Sequence, residues 1–510
     1  MSASLTKVLI ANRGEIAVRL IRGCREMGLK TVAVYSECDR TAQHVRHADQ
    51  AYAIGPNPPR QSYLRIDRII DAARASGADA VHPGYGFLAE NPEFARACRD
   101  AGLIFIGPTP EAMDLMGSKT AARAVAIAAG VPVVPGTKEP LGPEAPMADV
   151  ARIAAEVGYP ILIKAVSGGG GKGMRTVTDP AELASALRAA RSEALSAFGD
   201  PAVYIERRVM RPRHIEIQLL GDHHGTVVPF VERECSIQRR HQKVVEESPS
   251  LQVNPGTRRA LAAAAAAVAR GVGYTNAGTI EFLLDQNGEF FFLEMNTRLQ
   301  VEHPITELVT LTDLVHWQLR IARGERLDLD PEQALVPRGH AIECRIYAED
   351  PDRDFLPSPG RITAMRLPAG PGIRCDDCGA VAGADVPVSY DPLIAKLSAW
   401  AVDRPTAIAR MARALGEYDV RGIKTTIPFF RWLLADPDFL AGRFDTTFID
   451  RALACRNGQP FQEVPPEDEH LSIVAAAVHA MTQKTAAASP AAAAAGDGRW
   501  KRHARNQGLR

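Results

Sequence analysis

The sequence predicts a multidomain protein of mixed α/β and α+β class, whose N-terminal part is a doubly wound parallel sheet. Two observations support this prediction. The chain has 510 residues, which is too many for a single hydrophobic core, so about two to four domains are expected. Its beginning alternates between strand-like and helix-like stretches, and strands interleaved with helices are typical of a parallel sheet with helices on both faces.

The first block covers residues 1–114. Its strand-like runs are "KVLIA", "TVAVYS", "AVHPG" and "IFIGP", and the helix-like runs between them are "GEIAVRLIRGCREMG", "IDRIIDAARASG" and "NPEFARACRDAG". The turn after the first strand reads "ANRGEIA" and lacks the glycine fingerprint of dinucleotide binders. A dehydrogenase-type cofactor site is therefore not expected here.

Three further blocks follow. Residues 115–330 contain "SGGGGKGM", an alanine-rich helix, and the strands "GTIEFLLD" and "GEFFFLEMN", which the hairpin signal "QNG" separates. Residues 336–452 mix short strands with the helix "RPTAIARMARALGEY". In residues 463–510, a polar "PPEDEH" and a short apolar helix-like stretch lead into a low-complexity linker and a basic tail.

Composition argues against several function classes. Lys plus Arg and Asp plus Glu each total 60, so net charge gives no reason to expect nucleic acid or an anionic membrane as a partner. No apolar run reaches the roughly 18 residues of a membrane span, and no signal peptide is expected because the early apolar run "VLIA" is too short. The cysteines are sparse, and the pair Cys375 and Cys378 has no second pair nearby to complete a zinc site. A reducing cytoplasm is the expected location.

Several lysines and glycines suggest a phosphate site. The loop "SGGGGKGM" would let backbone N–H groups approach phosphate oxygens, although a flexible hinge is the alternative. It is not a Walker loop, because Lys172 is followed by glycine. Lys164 lies in the preceding apolar strand, where an ammonium needs an anion. Lys119, at a predicted helix start, is either a second phosphate contact or a solvated lysine.

Two polar stretches suggest chemistry beyond phosphate binding. In "QRRHQKVVEE" the basic residues suit a polyanion and the acidic ones would hold them in position, while a solvated loop is the alternative. In "EMNTRLQVEHP" the hairpin places Glu281 on one strand and Glu294 at the end of the next, and these carboxylates with Asn296 are hard oxygen ligands for Mg²⁺ or Mn²⁺. The period-two spacing from Asn296 to Glu302 predicts an extended segment that presents one polar face. By that alternation His303 points away and is expected to be structural.

These motifs, with "RHIEIQ", "KVLIANRGEIAVR", "HPGYGFLAEN" and "GHAIECRIYAEDP", resemble those of biotin carboxylase in the ATP-grasp superfamily. The resemblance runs in order over about residues 5 to 450. It implies an N-terminal α/β domain, an ATP-grasp domain with a mobile lid at about 135–207, and a C-terminal α+β domain.

The resemblance also implies roles for individual residues. The implied ATP contacts are Lys119, Lys164, Gly170, Gly171, Glu206, Arg207, Arg208, Val209, His214, Gln238 and His241, with Glu281 and Glu294 at the metal of the nucleotide. The implied Mg²⁺ or Mn²⁺ ligands are Glu281, Glu294 and Asn296. Lys243, Arg298, Gln300 and Val301 would bind bicarbonate, Glu302 would be the general base, and Arg345, with Tyr85 nearby, would face biotin. The adenine-hinge motif reads "ERRV", in which Arg208 replaces the usual aromatic residue.

The implied activity is ATP-dependent carboxylation of biotin through carboxyphosphate, the first half-reaction of an acetyl-CoA or other acyl-CoA carboxylase. No "AMKM"-type biotin attachment sequence is present, so the biotinyl carrier and the carboxyltransferase are expected on other chains, and a homodimer is expected. Two alternatives are another ATP-grasp ligase and a nucleotide-binding protein that is catalytically silent. The basic end "GRWKRHARNQGLR" is either a docking segment or a disordered tail.

Overall fold

The computed structural model describes residues 5–137, 139–142, 144–166, 174–379, 381–462 and 466–487. Its contacts divide the chain into two units, Met1–Gln459 and Pro460–Arg510. The predicted phosphate contacts Gly170 and Gly171 lie outside the described residues. All other candidate residues belong to the first unit.

An N-terminal parallel sheet forms within the fully described stretch 5–137. Its strands are β1 (Lys7–Ile10), β2 (Lys30–Ser36), β3 (Gln50–Gly55), β4 (Ala80–His82) and β5 (Ile104–Phe105). The helices between and after them are α1 (Gly14–Glu26), α2 (Gln43–His47), α3 (Ile66–Ser76) and α4 (Pro92–Asp100). The strand order is β3-β2-β1-β4-β5, and every pair is parallel. The predicted parallel sheet is thus confirmed, although β3, a largely exposed edge strand, was not foreseen.

Neighbouring residues of β1 pack into different cores. Val8 and Ile10 join side chains of α1, whereas Leu9 joins side chains of α3 and α4. Because successive side chains of a strand point to opposite faces, helices cover both faces of this sheet. The sheet is therefore doubly wound, as predicted.

A small module with its own core follows α5 (Pro110–Gly117) and α6 (Lys119–Ala128). Its elements are α7 (Met147–Val157), β6 (Ile161–Ala165), β7 (Met174–Val177), α8 (Leu183–Phe198) and β8 (Val203–Arg207). Its strands pair antiparallel in the order β7-β6-β8, and its buried apolar side chains form a separate cluster. The predicted lid at about 135–207 coincides with this module, and its mobility stays a prediction.

Among its described residues, the rest of the first unit contains a large antiparallel sheet, three separate two-stranded sheets and the helices around them. Its strands and helices begin with β9 (Arg213–Gly221), β10 (Val227–Pro229), β11 (Arg233–Arg239), β12 (Gln242–Ser248), α9 (Pro255–Gly271), β13 (Asn276–Leu284), β14 (Phe290–Asn296), α10 (His303–Thr310), α11 (Leu314–Ala322) and α12 (Pro331–Ala334). They continue with β15 (His340–Tyr347), β16 (Glu349–Asp350), β17 (Leu356–Pro357), β18 (Gly360–Arg361), β19 (Ala364–Arg366), β20 (Ile373–Asp377), β21 (Asp385–Val386), β22 (Leu393–Ala401), α13 (Arg404–Glu417), β23 (Asp419–Arg421), α14 (Ile427–Leu433), α15 (Pro437–Leu440) and α16 (Phe448–Arg456). The two-stranded sheets are β16-β17, β18-β21 and β19-β23.

One sheet crosses the predicted boundary between the second and third sequence blocks. Its order is β14-β13-β9-β11-β12-β15-β22-β20. Strand β12 of the second block pairs with β15 of the third, so that Glu246 lies opposite Glu343 and Val245 opposite Cys344. The two blocks are thus separate in sequence but continuous in hydrogen bonding.

In the second unit, a helix, α17 (Pro466–Ala487), extends into the predicted linker. The helix includes the predicted helix-like stretch and overlaps the predicted linker only at residues 484–487. Alanine has the highest helix propensity, and proline fits the first helical turn, so the helix continues past the short apolar stretch.

Among the helices of the described residues, none is both long enough and apolar enough to cross a lipid bilayer.

Candidate active site

A cavity of about 790 Å³ lies where the large sheet meets the small module. Its wall contains most of the residues to which the sequence assigned a role. These are Lys119, Lys164, Glu206, Arg207, Arg208, Val209, His214, Gln238, His241, Lys243, Glu281, Glu294, Asn296, Arg298, Gln300, Val301, Glu302 and Arg345. The structure thus brings together groups that are far apart in sequence.

The hairpin of β13 and β14 positions two of the acidic residues. Glu281 lies directly opposite Glu294 in the strand register. Burial raises the pKa of Glu294, and the nearby Glu281 charge raises it further. Burial would also raise the pKa of Glu281, but Lys243 and His214 hold it well below its usual value. Glu281 therefore loses its proton more readily than Glu294.

The prediction that the chain stays extended from Asn296 to Glu302 is wrong. Strand β14 ends at Asn296, and Glu302 is the residue that precedes α10. Between these two residues, Leu299 is buried in the core that contains α1. Beyond them, Pro304 lies in the first turn of α10, where its fixed φ favours a helix start. Although the regular alternation is lost, Arg298, Gln300 and Glu302 all reach the cavity wall.

One lysine joins three carboxylates. Lys243 on β12 donates to Glu302 Oε1 and to Glu281 Oε1, each at 2.7 Å, and also to Glu216 Oε2. Burial would lower the pKa of Lys243, but these carboxylates raise it well above its usual value. Such a buried cation remains charged because its partners compensate its desolvation.

Glu302 also contacts a second cation. Arg345 on β15 donates from Nη2 to Glu302 Oε2 at 3.0 Å and from Nε to Glu246 Oε1 at 2.6 Å. Burial would raise the pKa of Glu302, but Lys243 and Arg345 hold it well below its usual value. Glu302 is therefore an ionised carboxylate held between two cations.

The side chain of Gln300 is engaged with protein groups. Its Oε1 accepts from Arg233 Nη2 at 2.7 Å, and its Nε2 donates to Glu281 Oε1 at 3.0 Å. Arg233 is fully buried and also binds Glu216. Gln300 thus links the loop before α10 to the centre of the sheet.

Arg298 is held from two sides. It donates from Nε to Glu90 Oε2 at 2.9 Å and from Nη2 to Asn296 Oδ1 at 3.0 Å. Glu90 Oε1 also accepts from the backbone N–H of Thr297 at 3.0 Å. The N-terminal block thus fixes the start of this loop.

At the other end of the cavity lie the lysines assigned to phosphate. Lys164 on β6 donates to Glu206 Oε2 on β8 at 2.5 Å, and Arg123 Nη1 lies 3.6 Å from Glu206 Oε1. Burial lowers the pKa of Lys119 at the start of α6. Arg207, Arg208 and Val209 continue the cavity wall from the end of β8.

The tip of the β11–β12 hairpin reaches the cavity. Arg240 and His241 both have positive φ, 50° and 64°, as a two-residue type I′ turn requires. Non-glycine residues adopt this region at a cost, and such residues cluster at functional sites. His241 lines the cavity, as does Gln238 on β11.

Two histidines differ in their surroundings. His214 Nε2 lies 3.1 Å from Glu281 Oε2 in the cavity wall. His303 is fully buried, and its Nδ1 lies 2.8 Å from the Gln300 carbonyl oxygen. Burial holds the pKa of His303 well below its usual value, which fits the structural role expected for it.

Tyr85 is not among the described residues of the cavity wall, and its place beside biotin stays a prediction. Its ring packs against the core that contains α1, and Lys396 Nζ lies 5.8 Å from the ring centroid. The neighbouring motif residue Glu90 reaches the site through Arg298.

The structure adds residues that received no role from the sequence: Glu216 and Arg233, which are fully buried, and Glu90, which is exposed. Glu246, which the sequence analysis counted only among the acidic groups that hold basic ones in position, is fully buried and binds Arg345. Glu216 and Glu246 occur within the apolar strand-like runs "HIEIQLL" and "KVVEE". A carboxylate in such a run must have a buried partner, and that signal could have identified them.

The donor set of Glu281, Glu294 and Asn296 fits a hard divalent cation. Carboxylate and amide oxygens are the ligands that Mg²⁺ and Mn²⁺ prefer. Asn296 Nδ2 donates to Glu281 Oε1 at 2.8 Å, which keeps the amide beside the carboxylate pair. A cation between Glu281 and Glu294 would remove the repulsion that raises the pKa of Glu294.

Comparison with known proteins identifies the relatives of this arrangement. The chain matches the family models for the biotin carboxylase N-terminal domain over residues 4–113, the carbamoyl-phosphate synthase L chain ATP-binding domain over 118–330, and the biotin carboxylase C-terminal domain over 343–451.

Three curated relatives show how much of each protein the chain covers. It is 52% identical to the biotin carboxylase of Nostoc, over 87% of this chain and 98% of the relative. It is 51% identical to one of the pyruvate carboxylase subunits of Methanothermobacter thermautotrophicus, over 87% of this chain and 89% of that relative. The alpha chain of mouse mitochondrial methylcrotonoyl-CoA carboxylase is 50% identical over 88% of this chain, which spans 62% of that relative.

Two solved structures share the fold. The biotin carboxylase of Campylobacter jejuni superimposes with a TM-score of 0.84 at 46% identity, covering 88% of this chain and 99% of that one. The biotin carboxylase domain dimer of 2-oxoglutarate carboxylase from Hydrogenobacter thermophilus, solved with MgADP, ADP and bicarbonate, gives 0.84 at 46% identity over 90% and 99%.

Proposed function

This chain belongs to the biotin carboxylase family, and from that membership we propose that it carboxylates biotin on a separate carrier protein, with ATP and bicarbonate as the other substrates. The observation that carries the proposal is the pairing of Glu302 with both Lys243 and Arg345. This trio shares one cavity with the groups suited to a metal-bound nucleoside triphosphate. A site that only bound nucleotide would not need a carboxylate held between two cations.

The nucleotide would lie between the small module and the large sheet. Lys119 and Lys164, which line the cavity, would neutralise phosphate oxygens, and the segment from Glu206 to Val209 would contact the adenine through its backbone. The Lys164–Glu206 pair would exchange part of its contact for phosphate when ATP enters. Gln238, His214 and His241 complete this wall.

Glu281, Glu294 and Asn296 would hold Mg²⁺ or Mn²⁺. The ion supplies charge neutralisation on the phosphate oxygens and orients the triphosphate. Lys243, which also contacts Glu281, ties this ligand set to the group that reacts with bicarbonate.

Bicarbonate is a weak nucleophile that must lose its proton before it attacks. Glu302 is the proposed base, because Lys243 and Arg345 keep it ionised and able to accept a proton. The same cations would lower the pKa of bicarbonate bound beside them. The resulting oxyanion attacks the γ-phosphorus, ADP leaves, and carboxyphosphate breaks down to CO₂ and phosphate.

Biotin must then lose the proton of its ureido nitrogen. The released phosphate would take this proton, and Arg298 would stabilise the enolate-like oxygen while the nitrogen attacks CO₂. Arg298 suits this role because Glu90 and Asn296 fix its planar donor fork. Arg345 would face the biotin ring.

The carboxyl acceptor would be selected by a carboxyltransferase partner. An acetyl-CoA or other acyl-CoA carboxylase remains our proposal, although relatives of comparable identity also include chains of a pyruvate carboxylase and of a methylcrotonoyl-CoA carboxylase. A homodimer is proposed by analogy with the dimeric Hydrogenobacter domain.

The proposal is tested by measuring ADP release from ATP, Mg²⁺ and bicarbonate, with and without free biotin. We expect turnover to rise with biotin and radiolabelled bicarbonate to enter an acid-labile product. Release that ignores biotin would favour another ATP-grasp ligase. Nucleotide binding without any turnover would indicate a catalytically silent protein.

The acceptor is tested with a biotinylated carrier and a candidate carboxyltransferase. Acetyl-CoA, propionyl-CoA, methylcrotonoyl-CoA, pyruvate and 2-oxoglutarate would be compared for uptake of the labelled carboxyl group. Uptake confined to a 2-oxo acid would contradict the acyl-CoA assignment while leaving the biotin carboxylase activity intact.

A further inference from the structure

Lys396, in the middle of β22, is a fully buried lysine that the proposed reaction does not use. Its side chain has 0% exposure. Its Nζ donates to the carbonyl oxygen of Val301 at 2.8 Å and lies 3.2 Å from Glu15 Oε1 on α1. An ammonium is costly to bury, so these contacts must compensate for its lost hydration.

Lys396 lies directly opposite Arg345 in the register of β15 and β22. Side chains at paired positions of an antiparallel sheet share one face, so two cations stand side by side. Arg345 donates to the side chain of Glu302, and Lys396 donates to the backbone of Val301. The two strands therefore hold two consecutive residues of the same loop.

The carbonyl of Val301 belongs to the same planar peptide unit as the backbone N–H of Glu302. Fixing that carbonyl fixes the orientation of the peptide plane from which Glu302 extends. This restraint matters because β14 ends at Asn296 and α10 begins at His303, so no strand pairing holds Val301 and Glu302.

Glu15 connects this contact to the N-terminal block. Burial raises the pKa of Glu15 to about 7, and Lys396 only partly offsets this. Asp376 Oδ2 on β20 lies 3.9 Å from Lys396 Nζ on the other side. Lys396 thus lies where α1, the C-terminal strands and the loop before α10 meet.

We propose that Lys396 is a positioning residue for biotin carboxylation, which sets the direction of Glu302 through the carbonyl of Val301. This inference rests on the proposed function of Glu302. It predicts that loss of the Lys396 ammonium lowers the rate of the bicarbonate step. The affinity for ATP should be unchanged, because Lys396 does not line the cavity and its contacts are with Val301, Glu15 and Asp376.

The test is Lys396→Met, which keeps the length of the side chain and removes its charge and donor. We expect kcat for biotin-dependent ADP release to fall about 100-fold, the scale of a small misplacement of a reacting group. The KM for ATP should stay within about twofold. The matched control is Arg404→Met, which breaks another buried ion pair, with Glu247, outside the cavity wall. It should lower the melting temperature but leave kcat of the folded enzyme unchanged.

A second variant and a double variant keep the test decisive. Lys396→Gln retains a donor and should recover part of the lost kcat, and it replaces Lys396→Met if that protein does not fold. If Lys396 acts through Glu302, the double variant with Glu302→Gln should be no slower than Glu302→Gln alone.

Three outcomes overturn the inference: kcat near the wild-type value in both Lys396 variants, equal losses in Lys396→Met and Arg404→Met, or additive losses in the double variant. A wild-type protein without biotin-dependent turnover overturns the proposed function as well. The two failures are therefore distinguishable.

Discussion

The two ends of the cavity are built differently. At the reaction end, Lys243, Glu302 and Arg345 belong to the large sheet and the loop beside it, and each is almost fully buried and bound to an opposite charge. At the nucleotide end, Lys164 and Glu206 lie on a three-stranded sheet with its own core. The loop that follows Lys164 in sequence provides the glycines assigned to phosphate.

The two constructions suit two tasks: at the reaction end, holding charged groups in place before substrate binds, and at the nucleotide end, opening to admit ATP. Charges paired inside a large sheet stay in place without substrate, at the cost of their desolvation. A small module with a separate core can move as a unit, and lids that admit substrates are drawn from such elements. We therefore expect changes at the reaction end to alter kcat or stability, and changes at the nucleotide end to alter ATP affinity.

The largest expected effect is that of Glu302→Gln. Removal of a general base costs about 10²- to 10⁴-fold in rate, so kcat for biotin-dependent ADP release should fall by about that factor. ATP binding, measured by calorimetry, should be unchanged because Glu302 lies at the reaction end. Glu232→Gln, another fully buried carboxylate that pairs with Arg258 outside the cavity wall, is the control and should keep its kcat. Near-normal turnover of Glu302→Gln would remove Glu302 as the base.

Lys243→Met should affect stability as well as rate. It leaves Glu216, Glu281 and Glu302 without their shared cation, and breaking a buried ion pair costs about 3–5 kcal/mol.

The sign of its pH dependence follows from these carboxylates. The pKa values of Glu281 and Glu302 are depressed in the folded protein by Lys243. In wild type their stabilisation is present above their unfolded pKa values and is lost as pH falls through the folded ones. Without Lys243 the folded pKa values rise, so the variant should gain stability relative to wild type as pH is lowered from 8 to 5. Parallel curves in urea unfolding would contradict this account of the cluster.

Lys164→Met should have a smaller and different effect. Loss of one phosphate contact should raise the KM for ATP about tenfold, the equivalent of one charge-assisted hydrogen bond of about 1.4 kcal/mol. The melting temperature without nucleotide should also fall, because Glu206 loses a buried partner and, among the described residues, keeps only Arg123 at 3.6 Å. A fall in kcat at saturating ATP equal to the rise in KM would show that the two ends are not independent.

The smallest expected effect is a change in pH dependence in Glu343→Gln. Burial raises the pKa of Glu343 to about 7, and the neighbouring Lys396 and Arg345 only partly offset this. A carboxyl group whose pKa is raised on folding binds its proton more tightly in the folded state, so stability falls as pH rises from about 4.5 through 7. Glutamine has no proton to lose, so the variant should be more stable than wild type at pH 9 by on the order of 1 kcal/mol. An unchanged difference between pH 6 and pH 9 in thermal unfolding would contradict the shift.

Most of the residues named from sequence motifs line the cavity. A motif match assigns a role to a numbered residue, so it needs no knowledge of the tertiary structure. The placement of Glu281 and Glu294 on the two strands of one hairpin followed from local signals, namely two strand-like runs around "QNG", whereas their direct pairing is seen only in the structure. The end of β14 did not, because alternation in "NTRLQVE" favours a strand while the burial of Leu299 and the helix start at Pro304 bend the chain. Local periodicity does not show which tertiary contact wins.

Long-range polar pairing could not be predicted for a different reason. A charged residue in an apolar strand, such as Arg233 or Glu216, indicates that an oppositely charged partner is buried with it. The order of the strands in the sheet decides which residue is that partner. That order, with β12 beside β15, joins two blocks that composition separates.

The pairing of β12 with β15 affects whether the C-terminal block can be exchanged between related proteins. An exchange of the C-terminal block between relatives would divide a single ladder and replace Arg345 and Lys396 without their partners Glu246 and Val301. The two blocks are therefore a poor unit for recombination, however clearly the sequence separates them. An exchanged C-terminal block would therefore need a β15 that pairs with the β12 of the receiving chain.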